Sequence, residues 1–220
     1  GYALPRLAPA EFRYSGMASA QAVGALSPEA GTIDVARLAH THGVKHIDGR
    51  LVDLDLPGKR AITDTGARLA WDVLSFNIGS VSSTGGIEEI EPDVVRVKPL
   101  RDLSSLTERL RRAQATASEQ GRPARVTIVG GGSTGVELAG HLGAQDGVAV
   151  RLLEAGPSIA PTVPSAARAQ LRGLLSRRGV RIHTDSPVCR LAADRVEMSS
   201  GRSFAHDVAL LATGLTADPL

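Results

Sequence analysis

Cysteine, aromatic residues and long apolar runs are all scarce in this chain of 220 residues. The single cysteine, Cys189, excludes an internal disulfide, a Cys-x-x-Cys redox pair and a zinc site built from several cysteines. The longest apolar runs, such as residues 208–212, are far below the roughly 20 residues that cross a bilayer, so we expect no transmembrane segment. No basic stretch followed by an apolar core lies near the start, so we expect a cytoplasmic protein. Peripheral membrane contact stays open for the full-length protein.

The charge pattern argues against nucleic-acid binding. The chain has 25 basic and 23 acidic residues, a net charge of +2, and the two signs alternate along most of its length. It contains only one Trp, two Tyr and three Phe. Nucleic-acid-binding proteins usually concentrate positive charge on one face, often beside stacking aromatic rings, so we expect no nucleic-acid partner. Hydrophobic residues make up 42% of the chain, enough for one large or two small cores.

The second half of the chain alternates strands and helices. Apolar periodicity predicts strands at 125–129, 148–153, 180–183, 188–191, 196–198 and 207–212, and helices at 134–142 and 165–178. The last strand, 207–212, is apolar from Val208 onward and is therefore expected to be buried on both faces.

The first half repeats the end of this pattern. We predict a helix at 33–42, strands at 44–47, 52–54 and 60–63, and a buried strand at 72–76. Four pairs of landmarks recur at a spacing of 135 or 136 residues: Gly43 and Gly179, Gly66 and Gly201, Asp72 and Asp207, and Gly79 and Gly214. This spacing predicts two similar dinucleotide-binding units, each with a short three-stranded crossover.

The two units are not equally complete. A glycine-rich loop opens the second unit at Gly130, but the equivalent position in the first unit falls before residue 1. We therefore expect the first unit to be incomplete and the chain to be a fragment of a longer protein. Between the units, leucines at helical spacing predict a helix over residues 103–118.

The glycine-rich loop predicts a pyrophosphate site. A strand leads into Gly130-x-Gly132-x-x-Gly135 and a helix follows, which places free backbone N–H groups and the positive end of the helix dipole together. The first glycine permits the turn, the second lets the phosphates approach, and the third allows close packing of helix and strand. The candidate cofactor-binding residues of the loop are Gly130, Gly131, Gly132, Ser133, Thr134 and Gly135.

An acid at the end of the next strand indicates the nucleotide that binds. Glu154 lies 24 residues after Gly130, close to the roughly 20 expected for a carboxylate that binds the adenosine ribose. A carboxylate there repels a 2′-phosphate, which favours NADH over NADPH. Arg151 leaves NADPH open, because its side chain could accept the extra phosphate if it turned inward.

A second interpretation of the same loop is a nucleophile elbow. Gly131-x-Ser133-x-Gly135 fits the elbow of an α/β-hydrolase, with Ser133 as the nucleophile. Asp185 or Asp194 and then His206 follow in the required chain order. This hypothesis leaves the repeat and Glu154 unexplained.

Several motifs resemble those of the pyridine nucleotide-disulfide oxidoreductase superfamily. Three segments look like the NADH domain of its two-domain flavoproteins: residues 126–140, 152–157 and 211–214. Three others look most like the type II NADH dehydrogenase-like branch: Tyr14-Ser-Gly-Met17, residues 71–80 and Val97-Lys-Pro99. The resemblance covers nearly the whole chain.

This resemblance implies an α/β fold with two Rossmann-like three-layer (ββα) FAD/NAD(P)-binding domains, the first incomplete. Residues 1–99 would form a partial FAD-binding domain, 100–124 a connecting helix and linker, and 125–220 the NADH-binding domain. The implied function is an FAD-dependent oxidoreductase that transfers hydride from NADH to flavin N5. With no cysteine pair, the electrons would pass to a quinone or another non-disulfide acceptor. The protein could form a homodimer. The alternative to the oxidoreductase function is a nucleotide-binding module that is inactive as a fragment.

The resemblance also implies roles for individual residues. The strand ends that would approach the two dinucleotides contain Asn77 and Gly79, and Thr213 and Gly214. Glu137 matches an acid near the nicotinamide and flavin, although an exposed acid in the first turn of a helix is also stabilised by the helix dipole alone. Lys98 would lie near the flavin. We expect no acid–base catalytic residue and no metal site.

Overall fold

The computed structural model describes residues 4–27, 29–103 and 105–218, and these form two compact units. The first unit is built mainly from Glu29–Gly79. The second consists of residues 16–27 together with Ser80–Thr216. Among the described residues, no helix is both long enough and apolar enough to cross a membrane.

The strands, in chain order, are β1 (Arg6–Leu7), β2 (Glu11–Arg13), β3 (Thr32–Asp34), β4 (His46–Ile47), β5 (Leu51–Asp55), β6 (Arg60–Thr63), β7 (Arg68–Ala70), β8 (Ser80–Ser82), β9 (Glu89–Ile90), β10 (Val95–Arg96), β11 (Ala124–Val129), β12 (Val148–Leu153), β13 (Arg181–His183), β14 (Val188–Leu191), β15 (Arg195–Met198), β16 (Ser203–Ala205), β17 (Val208–Leu211) and β18 (Leu215–Ala217). The α-helices are α1 (Ala18–Ala22), α2 (Val35–Thr41), α3 (Leu100–Leu103), α4 (Leu106–Glu119), α5 (Ser133–Leu142) and α6 (Ser165–Arg177), and a 3-10 turn covers Ser15–Met17.

The first unit contains the predicted meander. Strands β5, β6 and β7 form an antiparallel sheet, and β1 pairs with β4 in parallel. The predicted helix at 33–42 begins two residues late, at Val35, because Ile33 belongs to β3 and pairs with Phe12 of β2. Asp34 caps the helix, its carboxylate accepting a hydrogen bond of 2.8 Å from the N–H of Arg37.

The prediction of a buried strand at 72–76 is wrong. These residues form no strand, and Val73 and Phe76 are 90% and 46% exposed. Its counterpart in the repeat, β17, pairs on one side with β10 and on the other with β11. Within the described part of the chain no strand pairs with residues 72–76, and an apolar sequence without hydrogen-bonding neighbours does not become a central strand.

The second unit has three layers. Its central sheet is parallel, with the strand order β10-β17-β11-β12-β13. One face of this sheet packs against the helices through Val126, Ile128 and Leu152. The opposite face packs against the antiparallel strands β14–β16 through Val129, Leu153 and Leu211. Successive side chains of a strand point to opposite faces, so strands with apolar residues at both alternating sets of positions supply both cores. The α/β class and the Rossmann-like three-layer arrangement are confirmed.

The predicted helix at 103–118 is interrupted. Leu103 ends α3, and α4 begins at Leu106. Ser105 forms the turn between them, because both its backbone N–H and its hydroxyl donate to the carbonyl of Asp102, at 3.2 and 2.8 Å. A serine that bonds to a nearby carbonyl competes with continuous helix, and apolar periodicity does not reveal this.

Candidate functional site

The glycine loop has the backbone geometry that its sequence predicts. It joins β11 to α5, and Gly130 adopts a φ of 109°, in the region that favours glycine. A Cβ on Gly130 would collide with the carbonyl oxygen of Ala212, and a Cβ on Gly135 would collide with the carbonyl oxygen of Gly130. These two glycines therefore allow β11, β17 and α5 to approach one another closely.

The middle of the loop is open. Gly132 has an ordinary φ of −67°, and apart from its two chain neighbours no described residue has an atom within 4 Å of the position of a Cβ there. Ser133 and Thr134 follow at the exposed first turn of α5, where backbone N–H groups have no partner within the helix. A negatively charged group can therefore reach these N–H groups at the positive end of the helix dipole.

Glu154 is part of the same loop structure. It follows the end of β12, and its Oε2 accepts a hydrogen bond of 2.6 Å from the N–H of Gly131. Its Oε1 accepts one of 2.8 Å from the N–H of Gly156. Each oxygen of an ionised carboxylate has a second lone pair, so the half-buried Glu154 can still accept from ribose hydroxyls.

Arg151 does not turn toward this acid. Its Cζ lies 3.8 Å from the ring centroid of Phe204, on the side of the sheet that faces β14–β16. Burial, together with the nearby charges of Arg181 and Arg125, lowers the pKa of Arg151. The structure thus places the arginine that could have favoured NADPH against an aromatic ring instead.

The end of β17 lies beside the loop. Thr213 donates its hydroxyl to the carbonyl of Ser83, at 2.5 Å, and the N–H of Ser83 donates to the carbonyl of Gly214, at 3.0 Å. A Cβ on Gly85 would come within 2.7 Å of Thr213. Ser83 and Gly85 were not predicted as site residues, although the run Ser83-Thr-Gly-Gly86 is a turn signal that could have pointed to them.

These features share one edge of the parallel sheet. Gly130, Glu154 and Thr213 follow the carboxyl ends of β11, β12 and β17, which are neighbouring strands. Ligands of open α/β sheets bind at this edge. The structure therefore brings together the loop, the acid and the Thr213 segment, although they are spread over residues 130 to 213 of the sequence.

Glu137 has a partner that the sequence does not indicate. Ser19, only 6% exposed, donates its hydroxyl to Oε1 of Glu137 at 2.5 Å, and Nε2 of His141 lies 4.0 Å from the same oxygen. Glu137 itself is exposed. The serine comes 118 residues earlier in the chain, so no local pattern could have revealed it. The carboxylate is therefore oriented by a side chain as well as stabilised by the helix dipole.

We expect Ser19→Ala to lower the free energy of unfolding by about 1 kcal/mol, because a hydrogen bond to an anion is lost while water can still reach Glu137. Urea unfolding of the wild type, Ser19→Ala, Glu137→Gln and the double variant measures this interaction. In the Glu137→Gln background the loss should be smaller. An equal loss in both backgrounds would show that the serine stabilises the fold without acting on Glu137.

The other predicted residues lie elsewhere in the chain. Asn77 and Gly79 are exposed and belong to the first unit, where Gly79 has a φ of 83°. Lys98 is half-buried, and its backbone N–H donates to the hydroxyl of Ser82 at 3.0 Å. Their contact with a flavin stays a prediction.

The hydrolase hypothesis is contradicted by the structure. His206 precedes β17, and its buried ring hydrogen-bonds through Nε2 to the carbonyl of Ala192, at 3.0 Å. Ser133 lies beyond the opposite end of β11, which runs parallel to β17. Four residues of strand separate the two ends by about 13 Å, so His206 cannot serve as a base for Ser133.

Known proteins resemble the chain both in sequence and in fold. Demethylphylloquinone reductase of Synechocystis is 28% identical over 157 residues, which cover 69% of this chain and 38% of that protein. An NADH dehydrogenase-like protein of Mycobacterium tuberculosis is 27% identical over 191 residues, covering 81% of this chain and 47% of that protein. The chain thus spans less than half the length of these curated relatives.

A solved structure extends the likeness to the fold. NDH2 of Plasmodium falciparum in complex with NADH superposes with a TM-score of 0.86 at 16% identity, over 99% of this chain and 51% of that one. The sequence of this chain also matches a family signature over residues 12–220. By that match, which covers nearly all of its length, the chain belongs to the pyridine nucleotide-disulphide oxidoreductase family.

Proposed function

We propose that this chain contributes the NADH-binding part of an FAD-dependent oxidoreductase, which passes electrons from NADH through the flavin to a quinone or another non-disulfide acceptor. The observation that carries the proposal is the open glycine loop, with Glu154 bonded to the N–H of Gly131 at 2.6 Å. In this proposal residues 125–220 form the NADH domain, 100–124 connect, and 1–99 contribute to the FAD domain. The names of the relatives, a quinone reductase and an NADH dehydrogenase-like protein, support this function.

The loop residues would hold the pyrophosphate of NADH. Gly132 offers an approach that no side chain obstructs, and the N–H groups of the first turn of α5 can donate to phosphate oxygens. The positive end of the helix dipole adds to this attraction. Membership of the pyridine nucleotide-disulphide oxidoreductase family supports this assignment of the loop.

Glu154 would select NADH. Its carboxylate is held in place by two backbone N–H groups and can accept from the ribose hydroxyls. A 2′-phosphate at that position would meet a negative charge. Arg151, the basic residue of β12, stacks on Phe204 and therefore does not neutralise the carboxylate of Glu154.

Glu137 would orient the nicotinamide end. The hydroxyl of Ser19 holds one carboxylate oxygen and leaves the other free to accept a hydrogen bond from a ligand amide. When bound, the flavin supplies the chemistry of hydride acceptance, and the protein supplies position and electrostatics. The residues that we assign to this task bind and orient, and none of them transfers a proton.

A titration of the purified chain with NADH and NADPH, followed by nucleotide fluorescence, tests the proposal. We expect the wild type to bind NADH more tightly than NADPH. Glu154→Gln keeps one acceptor for the loop but removes the charge, so we expect NADH to bind about tenfold more weakly and the preference over NADPH to shrink.

Glu119→Gln is the matched control, because Glu119 is exposed at the end of α4, before the start of β11, whereas the loop follows the end of that strand. It should leave both affinities unchanged. An NADH affinity in Glu154→Gln within twofold of the wild type would overturn the ribose assignment. Flavin absorbance of the purified protein separates the oxidoreductase from the alternative, a nucleotide-binding module that binds NADH but is colourless.

A further inference from the structure

A group of basic side chains lies against one aromatic ring and on the strand position beside it, on the side of the parallel sheet away from the helices. We call it the Phe204 cluster; its members are Arg151, Arg181, His183, Arg202 and Phe204. From the ring centroid of Phe204, Cζ of Arg151 lies at 3.8 Å and Cζ of Arg202 at 5.4 Å. The ring of His183 lies at 5.1 Å. The cluster therefore concentrates positive charge at one place.

Strand register explains why these residues meet. Arg151 of β12 pairs with Arg181 of β13 and, on its other side, with Thr127 of β11, so the three side chains share one face. His183 lies on the same face two residues after Arg181. Phe204 of β16 pairs with Val196, which belongs to the core between the two sheets, so its ring faces this row of side chains.

The positive charge of the cluster is not balanced by protein acids. Within the described ranges, no ion pair joins a carboxylate to Arg151, Arg181 or Arg202. Arg125, the next arginine on the sheet, differs because it is bonded to Asp207. Guanidinium groups close together repel one another, and burial strengthens the repulsion.

Two buried polar atoms beside the cluster lack a partner. The hydroxyl of Thr127, in a residue with 0% exposure, and Nε of Arg151 make no hydrogen bond within the described part of the protein. Buried donors are normally satisfied, and an unsatisfied one costs about 1–3 kcal/mol. Burial and the charges of Arg151, Arg202 and Arg181 also lower the pKa of His183.

We propose that the Phe204 cluster binds a phosphate group, either as inorganic phosphate or as a small phosphate monoester. Arg181 and Arg202 are exposed and can donate to an anion from solution, while Arg151, next to Arg181 in the sheet, is held by stacking on the ring. A doubly charged oxyanion matches several guanidinium groups without an acid. The cluster lies on the face toward β14–β16, so this site is separate from the pyrophosphate loop at the end of β11.

Calorimetric titration with inorganic phosphate, against chloride at equal ionic strength, tests the proposal. We expect phosphate to bind the wild type and Arg181→Gln to weaken that binding at least fivefold. Arg172→Gln removes the same charge from an exposed position on α6 and should leave the affinity within twofold. Arg202→Gln provides a second exposed variant, with the same expectation as Arg181→Gln.

Two further experiments distinguish this site from the glycine loop and identify the ligand. Gly132→Val obstructs the loop and should leave the Arg181-dependent phosphate binding unchanged. Titration with glycerol phosphate shows whether the site binds a phosphate monoester as well as inorganic phosphate. Binding of either ligand supports the proposal if that binding depends on Arg181. Phosphate binding that survives in both arginine variants, or no binding beyond the chloride reference, would overturn the proposal.

Discussion

Replacement of Gly132 by valine is expected to weaken NADH binding by about 100-fold and to leave the protein folded. The valine side chain would lie on the open side of the loop, where the phosphates would approach and where, among the described residues, only the chain neighbours have atoms within 4 Å of its Cβ. Loss of two charge-assisted hydrogen bonds, together about 3 kcal/mol, corresponds to that fall in affinity. Nucleotide fluorescence titration measures the affinity and thermal unfolding measures the fold.

Gly132 is a better target than its neighbours. A side chain on Gly130 or Gly135 would collide with backbone oxygens, so lost binding there could reflect a distorted loop. Valine at Gly132, the N-cap of α5, should cost at most about 1 kcal/mol of stability.

Gly173→Ala is the matched control for this substitution. Gly173 lies inside α6, where a Cβ would contact only the side chain of Arg177, at 3.5 Å. Alanine should stabilise the helix by about 1 kcal/mol and leave NADH affinity unchanged. If Gly132→Val binds NADH as tightly as Gly173→Ala does, the loop is not the pyrophosphate site.

Asp207→Asn is expected to lower the free energy of unfolding by about 3 kcal/mol. Asp207 joins β17 to β11 at the edge of the sheet opposite the loop, and its side chain is 17% exposed. Its carboxylate accepts hydrogen bonds from the guanidinium of Arg122 at 2.6 and 2.8 Å, and from the backbone N–H of Arg125 at 2.7 Å. Asparagine keeps the shape but leaves two arginines without a counter-charge.

The pH dependence of stability identifies the charge as the cause. Burial of Asp207 would raise its pKa, but hydrogen bonds from Arg122 and Arg125 outweigh burial and hold the pKa well below its ordinary value. A depressed pKa in the folded state stabilises the protein fully above the unfolded value, near about 4, and this contribution is lost as the pH falls below it. The difference between wild type and Asp207→Asn should therefore stay constant from about pH 7 to about pH 5 and shrink below about pH 4.

Asp194→Asn serves as the control for the charge change. Asp194 is exposed and pairs with Arg195 at 3.3 Å, and an ion pair in water adds little to stability. Guanidinium and urea unfolding of both variants across this pH range gives the comparison. Equal, small losses in the two variants would show that the Asp207 cluster adds little to stability.

Local sequence patterns located the elements of the second unit closely. Strand β12 has the predicted bounds, and α6 ends one residue before the predicted end. The spacing of Gly66 and Gly201 correctly predicted a three-stranded meander in each unit, because a turn glycine is required wherever the same hairpin recurs. The patterns failed at residues 72–76. This segment resembles β17 in sequence, but among the described strands it lacks neighbours like those that pair with β17.

The sequence by itself determined the glycine loop, the acid at Glu154 and the α/β class, because each depends on residues adjacent in the chain or spaced at the period of a helix or strand. Only the tertiary structure decided that Ser19 orients Glu137, that Arg151 stacks on Phe204, and that β17 is a central strand while residues 72–76 are not. These outcomes depend on which segments become neighbours in space, and a buried strand or an oriented side chain exists only when its partners are present.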